Sequence, residues 1–479
     1  MRDNHRSMAL HDRIESVGAR GSTRKLAASV SGKVVADIAA VGWPEGVVLG
    51  SENELLEKYH VSRAVFREAV RLLEHQGVAR MRRGPGGGLV VTAPTVESVF
   101  DATMVYLLFV GAGLEEVLEA RLILEEAAAE LAAERLTEEG IDRLRELVER
   151  ERDGEPINPR DVHDLIAAVA ANPALELFVE LLTRVALVYS PDAPDAYRDL
   201  ASEVCGAHSK IVESIIGGEG GQAAGRMRRH LQAEADFIDK YMPMHPRLEA
   251  VFTGSPGPSK LAENVARRLF TGVMTDGWVI GRPLGSEPEL MAKFGVSRAI
   301  LREAARVLEH HQIAAMRRGP GGGLFVTEPG LDATSEAMAI YLDRRGIEPA
   351  HLFEVRSIVE MAVLGRVIRR RDDDVATTLN KVHAAELAAP LESFPVTGHD
   401  FHIVLANLSG NRVLALFTDV LVRLSRSHGA MPADAAGPLP TAEVIDVHER
   451  IIDAIIAGDV DLARHRMRHH LTALTRWVR

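Results

Sequence analysis

Between Lys25 and Val41 apolar residues recur at helical spacing, and Trp43-Pro44-Glu45-Gly46 closes the segment with turn formers, which predicts a first helix. Ser51 and Glu54, three residues apart, form a capping box that starts a second helix running to about Lys58. A short turn at Tyr59-His60-Val61 follows, and Ser62 caps a third helix. Its Arg63, Arg67 and Arg71 fall at i, i+4 and i+8 on one face, while Val65, Phe66, Ala69, Leu72 and Leu73 are left to pack inward. After Gln76-Gly77, two short extended stretches, Val78 to Arg82 and Leu89 to Thr92, flank Arg83-Gly84-Pro85-Gly86-Gly87-Gly88. That arrangement predicts a β-hairpin with an arginine at its tip, and three short helices followed by such a hairpin describe a winged helix-turn-helix.

The whole pattern recurs. Residues 61–94 and 296–329 are identical at 24 of 34 positions, 235 residues apart, and Ser286-Glu287-Pro288-Glu289 supplies the second capping box. Pro288 is tolerated in a first helical turn. From about Thr95 to Met242, and again from Asp332 to the end, the text is almost continuous amphipathic helix broken at short Gly, Pro or Asn signals. The expected organisation is a disordered tail over 1–23, a winged helix-turn-helix over 24–94, a helical domain over 95–243 and a linker over 244–258. A second winged helix-turn-helix over 259–329 and a second helical domain over 330–479 complete it. The fold class is mainly α, with two winged helix-turn-helix domains bearing small β-hairpin wings, each followed by an all-α bundle.

The helical domains repeat a polar pattern too: a histidine, an asparagine nine residues later, then two histidines 22 apart. The first copy has His163, Asn172, His208 and His230, and the second His402, Asn411, His448 and His470. Three imidazoles from separate helices converging on one cavity make a candidate site for Zn²⁺ or a similar divalent ion, with open positions for water or a carboxylate. A histidine on a helix is ordinarily just a partly buried residue, and it is the repetition that favours the ligand reading. Glu119-x-Arg121-x-x-x-Glu125 recurs as Glu354-x-Arg356-x-x-x-Glu360, which on spacing alone is a surface ion-pair ladder.

Composition narrows the classes. The single cysteine, Cys205, excludes an internal disulfide and a cysteine-based zinc finger and suits a reducing compartment. The apolar run from Met104 to Leu114 is too short to span a bilayer, and the polar start lacks a signal peptide's apolar core. A cytoplasmic, nucleoid-associated protein is expected, without a membrane partner. The net charge of −12 argues against a generally basic surface, yet Arg63 to Arg83 carries six arginines against two glutamates. Guanidinium groups at the start of a capped helix suit base edges in the major groove, and a Gly-rich, Arg-bearing wing can approach phosphates closely. A merely solvated arginine face is the plain alternative, which the duplication disfavours. The sequence RRGPGGGL has no Gly-Lys-Ser/Thr ending and opens no helix, so it is not a nucleotide-phosphate loop.

At these residues the chain resembles the GntR family of bacterial transcription regulators, in its FadR-like branch, where a winged helix-turn-helix precedes an all-helical effector domain. The resemblance covers nearly everything after residue 24. It implies DNA contacts from Ser62, Arg63, Arg67, Arg83 and Gly84, and from Ser297, Arg298, Arg302, Arg318 and Gly319. The family often has a further arginine in the capping turn, where this chain has Asn53 and Pro288. Many FadR-like effector domains bind a metal through three such histidines and an aspartate four residues before the first. Those positions here hold Pro159 and Gly398, while Asp161 and Asp400 stand at i−2, where a regular helix points them away from His163 and His402. The resemblance also implies that Arg121 and Arg356 pair with an effector carboxylate, as a guanidinium fork does well.

The expected function is a sequence-specific transcription regulator, two protomers fused into one pseudo-dimer. A small organic acid in the helical domains would modulate its affinity for a double-stranded operator, and the fused chain could dimerise again. The rivals are a metal-dependent enzyme built on the histidines, against which no carboxylate base stands at suitable spacing, and an interaction scaffold with degenerate DNA-binding heads.

Overall fold

The computed structural model describes residues 26–82, 84, 86–155, 158, 160–189, 194–241, 260–317, 319, 321–389, 394–428 and 441–474. The expected tail and linker, the wing-tip residues Arg83 and Arg318, and Pro159 lie outside them. The chain forms two compact units, one up to Val99 and one from Phe100 onward.

The first unit holds α1 (26–40), α2 (Glu52–Tyr59), α3 (Arg63–His75), β1 (Ala79–Arg82) and β2 (Gly88–Val91). Its core is the apolar stripe of α1, Ala27, Val30, Val34 and Ile38, with Val65, Phe66, Ala69 and Leu73 of α3. Leu72, expected to face inward, is only half-buried, and Val70 is buried instead. The 3.6-residue period places 66, 69, 70 and 73 along one stripe and leaves 72 on its flank. The capping box is formed: the Ser51 hydroxyl accepts from the Glu54 amide, and the Glu54 carboxylate accepts from the Ser51 amide at 2.7 Å. His60 ends α2 in the left-handed region at φ 51°, a place that Gly295 fills in the second copy at φ 64°. Ser62 then caps α3 by accepting from the Val65 amide.

Strands β1 and β2 pair antiparallel from Ala79↔Val91 to Arg82↔Gly88, one residue short of the expected stretches at the outer ends, and Val48 adds a bridge to Val90. Here the backbone of Gly50 crosses Gly88 so closely that a Cβ on Gly88 would stand 2.3 Å from the Gly50 carbonyl oxygen. Gly323 meets Gly285 in the same way, at 2.5 Å. Neither backbone can yield without breaking the wing, so Gly88→Ala or Gly323→Ala is expected to cost about 1–3 kcal/mol of the affected head's stability. Denaturant titration checks this, and a change near zero for both would contradict the crossing.

The second unit begins with the end of α4 (Val96–Val110) and a first bundle. That bundle comprises α5 (Leu114–Arg135), α6 (Glu138–Arg152), α7 (Arg160–Val169), α8 (Pro173–Tyr189), α9 (Pro194–Ile216) and α10 (Gly220–Tyr241). A second head follows: α11 (Lys260–Thr275), β3 (Pro283–Gly285), α12 (Glu287–Phe294), α13 (Arg298–His310), β4 (Ala314–Arg317) and β5 (Gly323–Val326). Its sheet has the order β3-β5-β4, so the wing carries a third strand that the sequence did not reveal. The second bundle is α14 (Leu331–Arg344), α15 (Pro349–Arg369), α16 (Asp373–Ala388), α17 (Phe394–Leu408), α18 (Arg412–His428), α19 (Thr441–Ala457) and α20 (Val460–Leu474). Within each bundle one helix is central, α5 against α7 to α10 and α15 against α17 to α20. Small residues on α5, Ala120, Ala128, Ala129 and Ala132, are buried and let its neighbours close in. No helix among the described residues is long and apolar enough to cross a membrane.

The two bundles pack on each other through α5 and α8 against α15 and α18, with reciprocal contacts of the kind a two-fold axis produces. Phe178 and Phe417, the same position in each copy, stack with ring centroids 4.0 Å apart and planes 2° from parallel. The two repeated asparagines have their role here. Asn172 caps α8 by accepting from the Ala174 and Leu175 amides, while its Nδ2 donates to the His351 carbonyl at 2.9 Å and to Glu354 at 2.8 Å. Asn411 caps α18 through Val413 and Leu414 and donates to the Glu116 carbonyl at 3.1 Å and to Glu119 at 2.9 Å. Arg135 pairs with Glu354, and Arg366 with Glu119, closing the same carboxylates from the other side. The second head also touches α4, where Trp278 lies edge-on to Phe109 at 5.3 Å, and within the head Trp278 donates its Nε1 proton to the Thr327 carbonyl.

Candidate functional site

Each head presents its arginines on the exposed face of a Ser-capped helix. The side chains of Arg63 and Arg67 are 59% and 66% exposed, and those of Arg298 and Arg302 are 63% and 59% exposed. In both heads one glutamate from the preceding helix holds the pair: Glu52 accepts from Arg67 at 3.2 Å with Arg63 at 3.4 Å, and Glu287 stands 2.8 Å from Arg302 and 3.6 Å from Arg298. Asn53, in the capping turn, accepts from Arg63 at 3.2 Å. Ion pairs this exposed are worth little and exchange readily for other anions. Ser297 caps α13 as Ser62 caps α3, through the Ile300 amide. Gly84 and Gly319 take up φ 98° and 99°, so both wing turns use the left-handed region that glycine allows.

Each bundle gathers its three histidines. In the first, His163 comes from α7, His208 from α9 and His230 from α10, all buried, with ligand nitrogens within 4.8 Å of one another. The His230 Nε2 lies 3.2 Å from both the His208 and the His163 Nε2. The Nδ1 atoms of His163 and His208 face carboxylates, Glu125 of α5 and Glu151 of α6, the latter at 2.8 Å. The second bundle repeats this with His402, His448 and His470, Glu360 behind His402 and Glu386 behind His448. Asp161 is spent on the entry to α7, where it accepts from the Asn158 amide, and Asp400 is exposed; neither aspartate belongs to the groups of ligand atoms that gather at the histidines.

This arrangement tests whether the residues suit a metal ion. A carboxylate accepting the Nδ1 proton leaves a bare Nε2 lone pair on two rings of each cluster, aimed at a common point with a third nitrogen. Converging lone pairs repel unless a cation lies between them, since the third ring's one proton can satisfy only one of the other two nitrogens. Nitrogens bound at ~2.0–2.1 Å around a tetrahedral Zn²⁺ stand about 3.3 Å apart, close to the 3.2 Å seen for two of the three pairs in each cluster. Burial, then the neighbouring His163 and His208, press His230 down to about 2, and burial holds His402 down at about 4, so both rings are neutral and able to ligate at pH 7. His163 differs: burial opposes its cation, but Glu125 and, more remotely, Glu234 raise its pKa.

The arginine ladder is not on the surface. Arg121 and Arg356 are buried, each paired at i+4 with the carboxylate behind the first histidine, Glu125 or Glu360. Burial disfavours both carboxylate anions, yet the arginine and the histidine beside each hold its pKa at about 2. The carboxylates whose absence counted against an enzyme are therefore present, but each is tied to a histidine and, for Glu125 and Glu360, to an arginine. Glu151 and Glu386 were not picked out from the sequence. The only signal was a glutamate kept 235 residues apart in two helices of otherwise different text.

Comparison with known proteins agrees with this architecture. The family described as bacterial regulatory proteins, gntR family, matches residues 26–89 and 261–326, and the FCD domain matches residues 116–233 and 351–473. The HTH-type transcriptional regulator YcbG of Bacillus subtilis is 28% identical over 238 residues, which is 49% of this chain and 99% of that protein. LutR of the same organism is 28% identical over 210 residues, 41% of this chain and 93% of its own. A solved GntR structure from Streptococcus agalactiae is 23% identical, covers 45% of this chain and 99% of its own, and has a TM-score of 0.36. A nearly complete relative thus corresponds to about one half of this chain, and the relatives are transcription regulators rather than enzymes. The chain belongs to the GntR family of bacterial regulatory proteins, as a DNA-binding transcription regulator that carries its GntR and FCD domains twice in tandem.

Proposed function

We propose that both heads of one chain read the two halves of a single operator, and that a small carboxylate in the helical domains sets how tightly they do so. The observation that carries this reading is the duplication of the DNA-facing set. Ser62, Arg63, Arg67 and Gly84 recur as Ser297, Arg298, Arg302 and Gly319, each arginine pair resting on a single glutamate that a phosphate can displace. Arg83 and Arg318 are assigned to the wing contacts by sequence. Arg121 and Arg356 are the effector contacts, through their position beside the carboxylate-backed histidines. The protein then acts in the cytoplasm, on the nucleoid, as a fused pseudo-dimer or as a homodimer of that chain. Enrichment of genomic fragments on the full-length protein tests this. A shared pseudo-palindrome bound selectively supports it, and binding that ignores sequence and collapses with salt refutes it.

The histidine clusters are read as divalent-metal sites, His163, His208 and His230 in one and His402, His448 and His470 in the other. A bound ion would supply a positive centre to which an effector carboxylate is attracted. The full chain is expected to bind two Zn²⁺, and His230→Gln one. Loss of a ligand weakens its site by at least ~100-fold, beyond the effect of an outer-shell change. Two equivalents of equal affinity in that variant, measured by calorimetry after chelator treatment, would refute the assignment.

A further inference from the structure

The two arginines beside the histidine clusters differ in one respect that the repeat does not share. In the first bundle Arg121 donates Nε to Glu125 and Nη1 to Glu234 at 2.6 Å. Glu234 lies one turn after His230 on α10, and the corresponding position, one turn after His470 on α20, is Leu474. Arg356, fully buried, donates Nε to Glu360 and Nη1 to the Ser425 hydroxyl at 3.3 Å, and its Nη2 has no hydrogen-bond partner among the described residues. Ser425 in turn replaces Ala186. One bundle therefore supplies its arginine with a second carboxylate from its own chain, and the other leaves a buried guanidinium nitrogen unsatisfied.

An unmet guanidinium donor away from water is costly, and a carboxylate is the ligand whose geometry best meets it. Charge points the same way. The Arg121, Glu125 and Glu234 set sums to one negative charge, whereas Arg356 and Glu360 cancel, so the arginine of the first bundle sits with one more carboxylate than its counterpart and is the less favourable partner for a further anion. Resting on the effector reading above, we infer that Glu234 occupies the carboxylate position of the first bundle as a built-in plug, and that the chain binds one small carboxylate, at Arg356. The duplicated effector domains have thereby divided their work, the first holding a fixed, ligand-like state and the second responding to the acid.

The test is calorimetric titration of the zinc-treated full chain with succinate, lactate and acetate in turn. One site per chain is expected for whichever acid binds. Leu474→Glu, which places the plug in the second bundle at a partly exposed position, is expected to weaken that site by ~10- to 100-fold. Glu234→Leu with Ala186→Ser is expected to raise the number of sites to two, a gain that a misfolded protein cannot imitate. Two sites in the wild-type chain, or unaltered binding by Leu474→Glu, overturns the inference while leaving the effector reading intact. No binding of any acid by the wild-type chain or the plug-free variant overturns both. Operator binding, measured separately, stands or falls on its own.

Discussion

Phe178→Ala is expected to lower the unfolding free energy of the full chain by about 3–5 kcal/mol, the range for emptying a buried aromatic site. The ring has no exposed surface and stacks face to face with Phe417, so truncation removes contact area from both bundles at once. Relaxation into the space is hindered, because Asn172 and Asn411 pin the ends of α8 and α18 to the opposite bundle on either side. Phe417→Ala should cost a similar amount, and the double variant less than the sum, since the second truncation removes a ring that has already lost its partner. By contrast Arg135→Ala, at the partly exposed rim, should cost a smaller amount. Denaturant unfolding of the four variants checks this, and a Phe178→Ala cost below about 1 kcal/mol would mean that the bundles do not depend on the stack.

The second large effect is on operator binding. Arg63→Ala and Arg298→Ala, each removing one guanidinium fork, should cost about 1–3 kcal/mol apiece if each reads a base edge. Arg63 pairs with Glu52 and Asn53 and Arg298 with Glu287, so the two losses are expected to add, and the double variant should lose about 2–6 kcal/mol, roughly 30-fold to more than 10,000-fold in affinity. The loss should be concentrated on the selected operator. The same variants on unrelated DNA report only lost phosphate attraction and a shallower salt dependence. Equal losses on both DNAs would make these arginines backbone anchors, and no loss on either would remove α3 and α13 from the interface. The glutamates offer an internal control: Glu52→Gln and Glu287→Gln free the arginines from a competing carboxylate and should tighten binding.

Much of this could be read from the chain. Capping boxes, the serine caps and the arginine spacing are local signals, and local signals survive folding; Ser51, Ser62 and their counterparts sit where the pattern puts them. The histidine clusters were legible because the same spacing occurs twice. What stayed hidden depends on which surface meets which. Arg121 and Glu125 at i+4 look alike on a solvated face and in a core, and only the packing of α7 to α10 around α5 decides between them. Asn172 and Asn411 were visible as repeated letters, yet their second hydrogen bond crosses to the other bundle, which no spacing within one bundle can show. The third wing strand was missed because Pro283–Gly285 is three residues long and begins with proline.

The reciprocal seam between the bundles lies within one polypeptide, so its formation requires no encounter between separate molecules. A regulator assembled from free protomers occupies its operator, when scarce, in proportion to the square of its abundance. For the proposed fused pseudo-dimer the dependence is first-order, and no inactive monomer pool buffers it. Repressor or activator strength would then follow gene dosage linearly down to a few copies per cell. A defect in one half stays with the intact half it is joined to and is not redistributed by exchange of partners, because each molecule carries both of its halves for life.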